Sequence, residues 1–458
     1  MNNLDQGKWK SLTKQLRGEA IWPGEPAYED ARKGYNALHD ARPGLILRPH
    51  DVAEVAMIVR LIAETEAPFA VRGGGHSLAG FSSTDGGILI LLSKLRTIEL
   101  SERTVRAGAG LTAGELTKAL SRAGKVVPFG DSPSVGISGI TLGGGIGWLS
   151  RKIGLTIDSV VGAEVVTADG NVIEADASNQ PDLFWALRGG GGNFGVVTRF
   201  DYAVHDLGQV LGGMMILPFS AATIRSVIET AAAAPNELGV IALAMRAPAM
   251  PGLPAESIGK PILMMSLVWS GELEPGRAVV ARLSVCADRV LSDQIRSMPY
   301  SEMYELFAGA PPRITNATRS FLADVLDDAA LDDIVAAVRS GPSGNVLAGV
   351  EIRVLGGAIA AVADAATAYA HRQRKLLVST VCAGFEVETL QTNRDWTTAL
   401  DDKLRQQALG AYVNFIEAPD LESFTEAYPA SVADRLAAIK QRYDPANRFR
   451  RNLNISPQ

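Results

Sequence analysis

Three glycine-rich stretches within the first 200 residues constrain the fold of this chain more than any other feature. They read AVRGGGHS from Ala70 to Ser77, SPSVGISGITLGGGIG from Ser132 to Gly147, and GGGGNFG from Gly189 to Gly195. Each adjoins an apolar run typical of a strand, and glycine lets backbone amides approach a flat or anionic ligand. We therefore predict one extended ligand held by main-chain amides, and a dinucleotide suits this arrangement better than a single phosphate.

His76 ends the glycine turn of the first stretch, so we expect its imidazole to project into the same space. A histidine that is neutral near pH 7 can act as a nucleophile or a ligand, whereas the alternative is a polar cap on a tight turn. The third stretch satisfies GxGxxG at Gly190, Gly192 and Gly195, but it follows a helical pattern and runs into a strand. A Rossmann fingerprint requires the opposite order, so the Rossmann interpretation fails.

The composition excludes several classes of protein. A chain of 458 residues, 47% hydrophobic and 21% charged, predicts two or three globular domains. The net charge of −6 argues against a nucleic-acid partner, and no apolar run reaches the ~20 residues of a membrane span. Cys286 and Cys382 lie too far apart for a metal motif, so we expect no metal site and no disulfide framework. Without an apolar signal segment at the N-terminus, we expect a cytoplasmic protein.

The local patterns change after Leu207, where long apolar strands begin to alternate with helices. We therefore place a first domain at residues 1–207, a second at 208–408 and a final segment at 409–458. In the first domain the patterns predict a helical lead-in over residues 1–40, broken at Trp22, helices capped by Asp51 and Thr112, and strands at Leu45–Leu47, Phe69–Val71, Gly87–Leu92 and Thr104–Gly110. They also predict a hairpin formed by Val160–Thr167 and Val172–Ala175, and a helix at Asp182–Arg188 before the strand at Val196–Phe200. Helices follow at 219–234, 275–291 and 328–340, and the final segment holds a strand at Tyr412 and a helix at Ser431–Arg442.

Several motifs, in this order, resemble the berberine-bridge-enzyme-like oxidases, which belong to the vanillyl-alcohol-oxidase superfamily of FAD-linked oxidoreductases. They are Arg72–Ser77, Val135–Trp148, Asp182–Thr198, Tyr412–Phe415, and Tyr443–Phe449 with Asn454–Pro457. The resemblance implies an α+β fold in which a two-subdomain, PCMH-type unit from about residue 40 to 207 binds FAD. The final segment would complete that unit. The middle domain, an antiparallel sheet backed by helices, would form a lid over the flavin.

The resemblance also implies which residues contact the cofactor. His76 matches the histidine that bonds covalently to the flavin 8α-methyl carbon. Many relatives add a second link through cysteine, but Ser132 stands at that position here, so we expect FAD attached through His76 alone. The implied cofactor-binding residues are Arg72, Gly73, Gly74, Gly75, His76, Ser77, Ser132, Val135, Gly136, Gly139, Gly143, Gly144, Gly145, Gly147, Gly192, Asn193, Gly195, Val196, Val197, Tyr412, Asn414, Asn452 and Asn454.

The family's usual assignment of the catalytic base does not carry over to this chain. Many members carry Tyr-x-Asn-Tyr, whose last tyrosine is a catalytic base or its assistant, whereas this chain has Phe415 there, which cannot move a proton. In the alternating run from Gly349 to Gly356, Glu351 and Arg353 share one face. The resemblance implies that this sheet lies over the flavin ring, so we predict that both side chains point toward the flavin and the substrate. The alternative is an ion pair on a solvated edge strand. Tyr412 and Asn414 are also catalytic candidates, although Tyr412 could instead be a core aromatic residue.

Together these features predict a flavoprotein oxidase that is a monomer or a homodimer. A base removes a proton while hydride passes to flavin, and O₂ then reoxidises the flavin to give H₂O₂. The substrate would be a small alcohol or phenolic, a sugar, or a natural-product intermediate. The alternatives are a flavin-dependent oxygenase or cyclase acting on an aromatic polyketide-like metabolite, and a flavin-binding protein without turnover.

Overall fold

The computed structural model describes residues 6–307, 313–342, 345, 347–386 and 388–458. Its strands are β1 (Glu19–Ile21), β2 (Leu45–Arg48), β3 (Phe69–Arg72), β4 (Ile88–Leu91), β5 (Ile98–Leu100), β6 (Thr104–Gly108), β7 (Lys125–Val126), β8 (Val160–Val166), β9 (Val172–Asp176), β10 (Val196–Ala203), β11 (His205–Asp206), β12 (Gln209–Pro218), β13 (Leu238–Arg246), β14 (Pro261–Trp269), β15 (Ser292–Asp293), β16 (Arg296–Pro299), β17 (Thr315–Ala323), β18 (Leu347–Val354) and β19 (Leu376–Gly384).

Its helices are α1 (Gln6–Thr13), α2 (Tyr28–Arg32), α3 (Val52–Thr65), α4 (Ala113–Ser121), α5 (Ile137–Leu142), α6 (Ser150–Ile153), α7 (Pro181–Leu187), α8 (Ala221–Ala233), α9 (Leu273–Ser284), α10 (Ser301–Glu305), α11 (Asp328–Ser340), α12 (Ala358–Ala361), α13 (Leu390–Leu404), α14 (Leu421–Ala427) and α15 (Ala430–Tyr443). None of these helices is both long enough and apolar enough to cross a bilayer.

The first sheet carries the first glycine stretch at its edge. Its order is β1-β2-β4-β3, with β2, β4 and β3 parallel and β1 antiparallel to β2. Helix α3 begins as predicted, because the Asp51 carboxylate accepts a hydrogen bond from the Glu54 amide. The helical lead-in is wrong in part: two short helices flank β1, which pairs with β2, and residues 1–5 of that prediction lie outside the described range. The glycine stretch leaves the carboxyl end of β3.

The second sheet has the order β5-β6-β10-β8-β9, and its neighbouring strands are antiparallel. The predicted β8–β9 hairpin and the predicted cap of α4 at Thr112 are both confirmed, and Thr112 forms a capping box with Glu115. The sequence did not predict α5, which occupies the middle of the second glycine stretch. Strand β10 follows the third glycine stretch directly, and Thr141 of the second stretch shares a hydrogen bond of 2.8 Å with Tyr202 of β10.

The largest sheet uses residues 209–384 and is antiparallel throughout. Its order within the described residues is β15-β12-β14-β13-β18-β19-β17, with β16 also pairing with β12. Apolar side chains of α8, α9, α11 and α13 cover one face, where Val350, Ile352 and Val354 are buried. Burying such side chains stabilises the fold by about 1.5–3 kcal/mol each. The α+β fold with an antiparallel sheet backed by helices is confirmed, while the domain boundaries at 207 and 408 stay predictions.

The final segment differs from its prediction at the start. Residues Val413–Phe415 form a 3₁₀ turn and not a strand. Tyr412, before the turn, is only 2% exposed and packs in a cluster with Tyr369, Ile146 and Phe415. The backbone at Tyr412 is therefore held by side-chain packing and not by hydrogen bonds to a neighbouring strand. The predicted helix is confirmed as α15.

Candidate active site

A cavity of about 500 Å³ lies where the three glycine stretches, the large sheet and the final segment meet. The predicted site residues that line it are Gly73, Gly74, Gly75, His76, Ser77, Ser132, Val135, Gly136, Gly139, Gly192, Asn193, Gly195, Val196, Val197, Glu351, Arg353, Tyr412, Asn414 and Asn452. These residues come from every part of the chain, and the fold brings them to one space.

His76 is presented to this cavity by a turn that requires glycine. Gly75 has a φ of 75°, a left-handed conformation that favours glycine and redirects the chain just before the histidine. Burial lowers the pKa of His76 to about 4, with an opposing contribution from a backbone hydrogen bond at Ser134. The imidazole is therefore neutral at pH 7. Tyr35 stacks on it at a centroid distance of 4.3 Å and an interplanar angle of 18°, which orients the ring.

The first two glycine stretches touch each other at Gly74 and Gly136. A Cβ on Gly74 would overlap the amide nitrogen of Gly136, and a Cβ on Gly136 would overlap that of Gly74. Ser132 lies on the same cavity wall, and its hydroxyl is 3.5 Å from that of Ser134. This close approach forms a wall of backbone on which an extended ligand can lie.

The third glycine stretch is tied to the final segment through buried polar groups. The Asn193 side chain donates to the Leu453 carbonyl at 3.1 Å and accepts from the Ile455 amide at 3.0 Å. Lys440 is fully buried, and its ammonium donates to the Asn193 carbonyl (2.8 Å), the Asp444 carboxylate (2.7 Å) and the Phe449 carbonyl (2.9 Å). These bonds hold the final segment against the cavity.

A buried cluster of charges occupies the wall formed by the large sheet. Arg353 donates to the Glu351 carboxylate at 2.8 Å and to the Asp131 carboxylate at 2.9 Å. Burial raises the pKa of Glu351, and the ion pair with Arg353 opposes this shift. Burial alone would lower the pKa of Arg353, but Asp131 and Glu351 raise it, so the guanidinium stays charged. Because β18 lies between β13 and β19, the alternative of an ion pair on an edge strand does not apply.

Tyr412 and Asn414 form a second polar group on the cavity wall. The Tyr412 hydroxyl oxygen accepts hydrogen bonds from the Gly145 amide and the Asn414 side chain, both at 3.0 Å. Burial raises the pKa of Tyr412, and these two hydrogen bonds act against the shift. Tyr412 is thus both a core aromatic residue and a wall of the cavity. Phe415 packs on it and lies 5.3 Å from the Arg353 guanidinium.

Some predicted cofactor contacts are placed elsewhere by the structure. Arg72 does not line the cavity, because its guanidinium donates to the carbonyls of Ala31, Arg32, Lys33 and Ser82 and so anchors the lead-in. The other residues outside the lining are Gly143, Gly144, Gly145, Gly147 and Asn454. The Gly143–Gly145 run packs against Asn414, Tyr412, Tyr369 and Thr156, and Gly147 packs against Phe129.

The sequence also missed residues that line the cavity. Tyr35, Asp131 and Ser379 are the most informative, because each contacts or directly adjoins a predicted site residue. Arg448, Arg450 and Arg451 also line it. A signal was available only for Asp131, which directly precedes the second glycine stretch.

The residues present fit FAD. Backbone of all three glycine stretches lines the cavity, the buried Asn452 side-chain oxygen has no hydrogen-bond partner within the described residues, and His76 is neutral. Donors from the glycine amides suit a pyrophosphate, and the neutral imidazole suits attack on a flavin methyl carbon. FAD would supply hydride acceptance and electron transfer to O₂.

Comparison with known proteins agrees with this geometry. Residues 43–176 match the family model described as FAD binding domain, and residues 411–456 match that described as Berberine and berberine like. The chain is 28% identical to (R)-6-hydroxynicotine oxidase of Paenarthrobacter nicotinovorans, over 97% of each chain. It has a TM-score of 0.87 and 26% identity to the crystal structure of 6-hydroxy-D-nicotine oxidase from Arthrobacter nicotinovorans, covering 97% of this chain and 98% of that one.

A further match is partial. The FAD-dependent monooxygenase tpcD of Cochliobolus heterostrophus is 40% identical over 43% of this chain and 39% of that protein.

The fold, the cavity and the full-length similarities define an FAD-linked oxidoreductase, and they support an oxidase over the alternatives. More particularly, the chain carries both the FAD binding domain and the berberine and berberine-like segment, so its resemblance to the berberine-bridge-enzyme-like FAD oxidases is confirmed.

Proposed function

We propose that this chain oxidises a small molecule with FAD attached through His76 alone, with Glu351 as the catalytic base. The full-length relative is named as an oxidase, which supports the release of H₂O₂. The neutral His76 supports the covalent attachment, and Ser132 cannot form a thioether. The observation that carries the choice of base is the buried Glu351–Arg353–Asp131 cluster on the cavity wall.

Glu351 is a better base than Tyr412 at neutral pH. Burial moves the pKa of Glu351 upward from 4.5, toward the range in which a base is most effective. Burial also moves the pKa of Tyr412 upward, but from 10.0, which is away from neutrality. Arg353 donates to one oxygen of Glu351, a residue that lines the cavity, and the other oxygen has no hydrogen-bond partner in the described part of the chain. That oxygen is available for a proton.

Anaerobic stopped-flow reduction tests this assignment. Glu351→Gln should slow flavin reduction by about 10²- to 10⁴-fold, the usual cost of losing a positioned base, while FAD content stays normal. Tyr412→Phe is the matched control, because it removes a hydroxyl from the same cavity and retains the ring. Slow reduction in the tyrosine variant only would make Tyr412 the base.

The products distinguish the oxidase from its alternatives. An oxidase releases one H₂O₂ per turnover, whereas a monooxygenase places an oxygen atom from O₂ in the product. The partial similarity to a monooxygenase makes labelled O₂ the appropriate tracer. Label in the organic product in place of H₂O₂ would overturn the proposal.

A further inference from the structure

Asp131 brings a charge to the cavity wall that the large sheet alone would not have. On β18, Glu351 and Arg353 form an ion pair at 2.8 Å, in which one guanidinium balances one carboxylate. Asp131 approaches from the loop before the second glycine stretch and pairs with the same guanidinium at 2.9 Å. With both carboxylates ionised, the three groups carry one excess negative charge. The charge of this part of the wall therefore depends on Asp131.

The excess charge lies where solvent and salt screen it poorly. The side chain of Arg353 is 6% exposed, and those of Glu351 and Asp131 are 20% and 29% exposed. All three residues line the cavity. Charges that are buried or partly buried are screened much less than charges on the surface. A ligand in the cavity is therefore subject to the excess charge.

The hydrogen-bonding groups at this wall suit a ligand that both donates and accepts. Arg353 uses three of its five N–H groups within the described residues, where Glu351 Oε2 and Asp131 Oδ1 have no hydrogen-bond partner. Ser379 lies opposite Glu351 in the β18–β19 register and lines the cavity. It is 2% exposed, and its hydroxyl has no partner in the described part of the chain. A carboxylate ligand only accepts, and it would add its charge beside two others.

The cationic side chains of the cavity lie on the final segment. Arg448, Arg450 and Arg451 line the cavity there, and within the described residues none of them bonds to either carboxylate of the cluster. Arg448 instead donates to the Ala63 carbonyl at 3.0 Å. Their charges suit the pyrophosphate of FAD, so the cluster on the large sheet is the charged wall left for a substrate.

We propose that Asp131 is a specificity-determining residue, which makes the substrate end of this cavity reject anions and accept neutral ligands. Without the Asp131 carboxylate, the Glu351–Arg353 pair would be neutral, and the two unused N–H groups of Arg353 could bind a carboxylate. The inference rests on the proposed function, because that function places the substrate in this cavity. It excludes molecules that carry a carboxylate or a phosphate from the possible substrates.

Benzamide and benzoate test this discrimination, because they have nearly the same shape and differ in charge. Neither has an alcohol or amine carbon that could lose a hydride, so both can be titrated into oxidised holoenzyme while the flavin absorbance is followed. A unit charge about 10 Å from an anion, within the span of such a cavity, changes the affinity about tenfold at an effective dielectric of about 20. We therefore expect benzamide to bind about tenfold more tightly than benzoate. Benzoate that binds as tightly as benzamide would overturn the proposal.

Variants locate the source of the discrimination. Asp131→Asn removes the excess charge and keeps an acceptor oxygen for Arg353, so benzoate should bind about tenfold more tightly to it than to the wild type. Asp131→Glu keeps the charge and should keep the wild-type preference. Asp158→Asn is the matched control, because it removes a carboxylate from another buried pair, 2.7 Å from Arg372, and neither residue lines the cavity. Equal effects of Asp131→Asn and Asp158→Asn would contradict the assignment.

The midpoint potential of the bound flavin reports the same charge without any added ligand. Reduction adds negative charge to the flavin, so Asp131→Asn should favour the reduced form about tenfold, which is about 30 mV for a two-electron couple. Equilibration with a redox dye of known potential measures this rise, and neither Asp131→Glu nor Asp158→Asn should show it. An unchanged potential in Asp131→Asn would overturn the proposal, and this measurement decides if neither aromatic probe binds.

These measurements separate the inference from the proposed function. If Asp131→Asn changes the benzoate affinity and the potential as expected while no compound reduces the flavin, the oxidase function fails and the role of Asp131 stands. If substrates are oxidised with release of H₂O₂ while Asp131→Asn leaves both quantities unchanged, the function stands and this inference fails.

Discussion

Lys440 is the residue whose loss should most clearly connect the stability of the fold to the retention of the cofactor. Its ammonium is 0% exposed and donates three hydrogen bonds, at 2.7 to 2.9 Å, to the Asp444 carboxylate and the carbonyls of Asn193 and Phe449. Burial lowers the pKa of Lys440, and the hydrogen bond to Asp444 opposes that shift. Lys440→Met keeps most of the side-chain volume and removes all three bonds.

The size of the loss in the free energy of unfolding follows from the buried Asp444 carboxylate, which Lys440→Met leaves without its cation. Removing one partner of a buried ion pair costs about 3–5 kcal/mol, because the other charge stays buried without compensation. Asp444 is 0% exposed, so it receives little help from solvent, although the amides of Arg448 and Phe449 still donate to it. We expect a loss of about 4 kcal/mol in the free energy of unfolding, against a typical total of about 5–15 kcal/mol.

Equilibrium urea unfolding, followed by far-UV circular dichroism, measures this loss. For an m-value of about 4 kcal/mol/M, above the range of small proteins because m grows with the surface exposed on unfolding, the midpoint should fall by about 1 M. Since two of the broken bonds fix the third glycine stretch and the final segment, the variant should also bind less FAD when expressed. Adding Asp444→Asn should recover part of the stability, because it removes the unpaired charge and retains an acceptor oxygen for one of the two amides, while the other amide faces the side-chain NH₂.

The matched control is Lys403→Met. Lys403 also pairs with a carboxylate at 2.8 Å, that of Asp333, but its side chain is 59% exposed. Exposed pairs contribute about 0–1 kcal/mol, so this variant should unfold almost as the wild type does. If Lys440→Met and Lys403→Met lowered the stability equally, the reasoning from burial would be refuted.

Three further predictions concern the site itself. On acidification, kcat/KM should fall around a pKa above the ordinary 4.5 of glutamate, because a base works only when deprotonated and burial raises the pKa of Glu351. In Glu351→Gln this decrease of kcat/KM at acidic pH should be absent. Acid-denatured protein should stay yellow, His76→Ala should release the flavin, and attachment should be as complete at pH 5.5 as at 7.5 because burial lowers the pKa of His76 to about 4. Tyr35→Leu should lower the fraction of protein with attached flavin, whereas Tyr35→Phe should preserve it because the stacked ring remains. A peptide map with flavin on Cys286 or Cys382 would contradict the assignment. Truncation after Arg448 should give insoluble or FAD-free protein, since it removes the Leu453 and Ile455 contacts to Asn193, and full FAD content in that form would contradict it.

Local patterns predicted the elements whose form depends on neighbouring residues. The alternation in β18 places Val350, Ile352 and Val354 against the helices and Glu351 and Arg353 on the opposite face, because side chains in a strand alternate regardless of what packs on them. The caps at Asp51 and Thr112 are equally local, since each acceptor bonds an amide three residues ahead.

Contacts between distant parts of the chain could not be predicted in this way. Asp131 meets Arg353 across 222 residues, and Tyr35 stacks on His76 from a segment expected to be helical. Neither pairing leaves a periodic signal, because each depends on how separately formed sheets dock. The missing strand at Tyr412 has a similar cause: its hydroxyl is held by Gly145, 267 residues away, and the backbone turns to permit that contact.

The glycines themselves show how a correct location can follow from an incomplete reason. The number of glycines suggested that backbone amides are accessible to a ligand, and Gly73–Gly75 and Gly136 do line the cavity. Yet a Cβ at Gly74 would collide with Gly136, and a Cβ at Gly143 would collide with the Asn414 side chain. Protein packing thus excludes larger residues even where no ligand would touch them. A glycine-rich stretch marks close approach of backbone, and only the structure distinguishes whether the approaching group is a ligand or another segment of the chain.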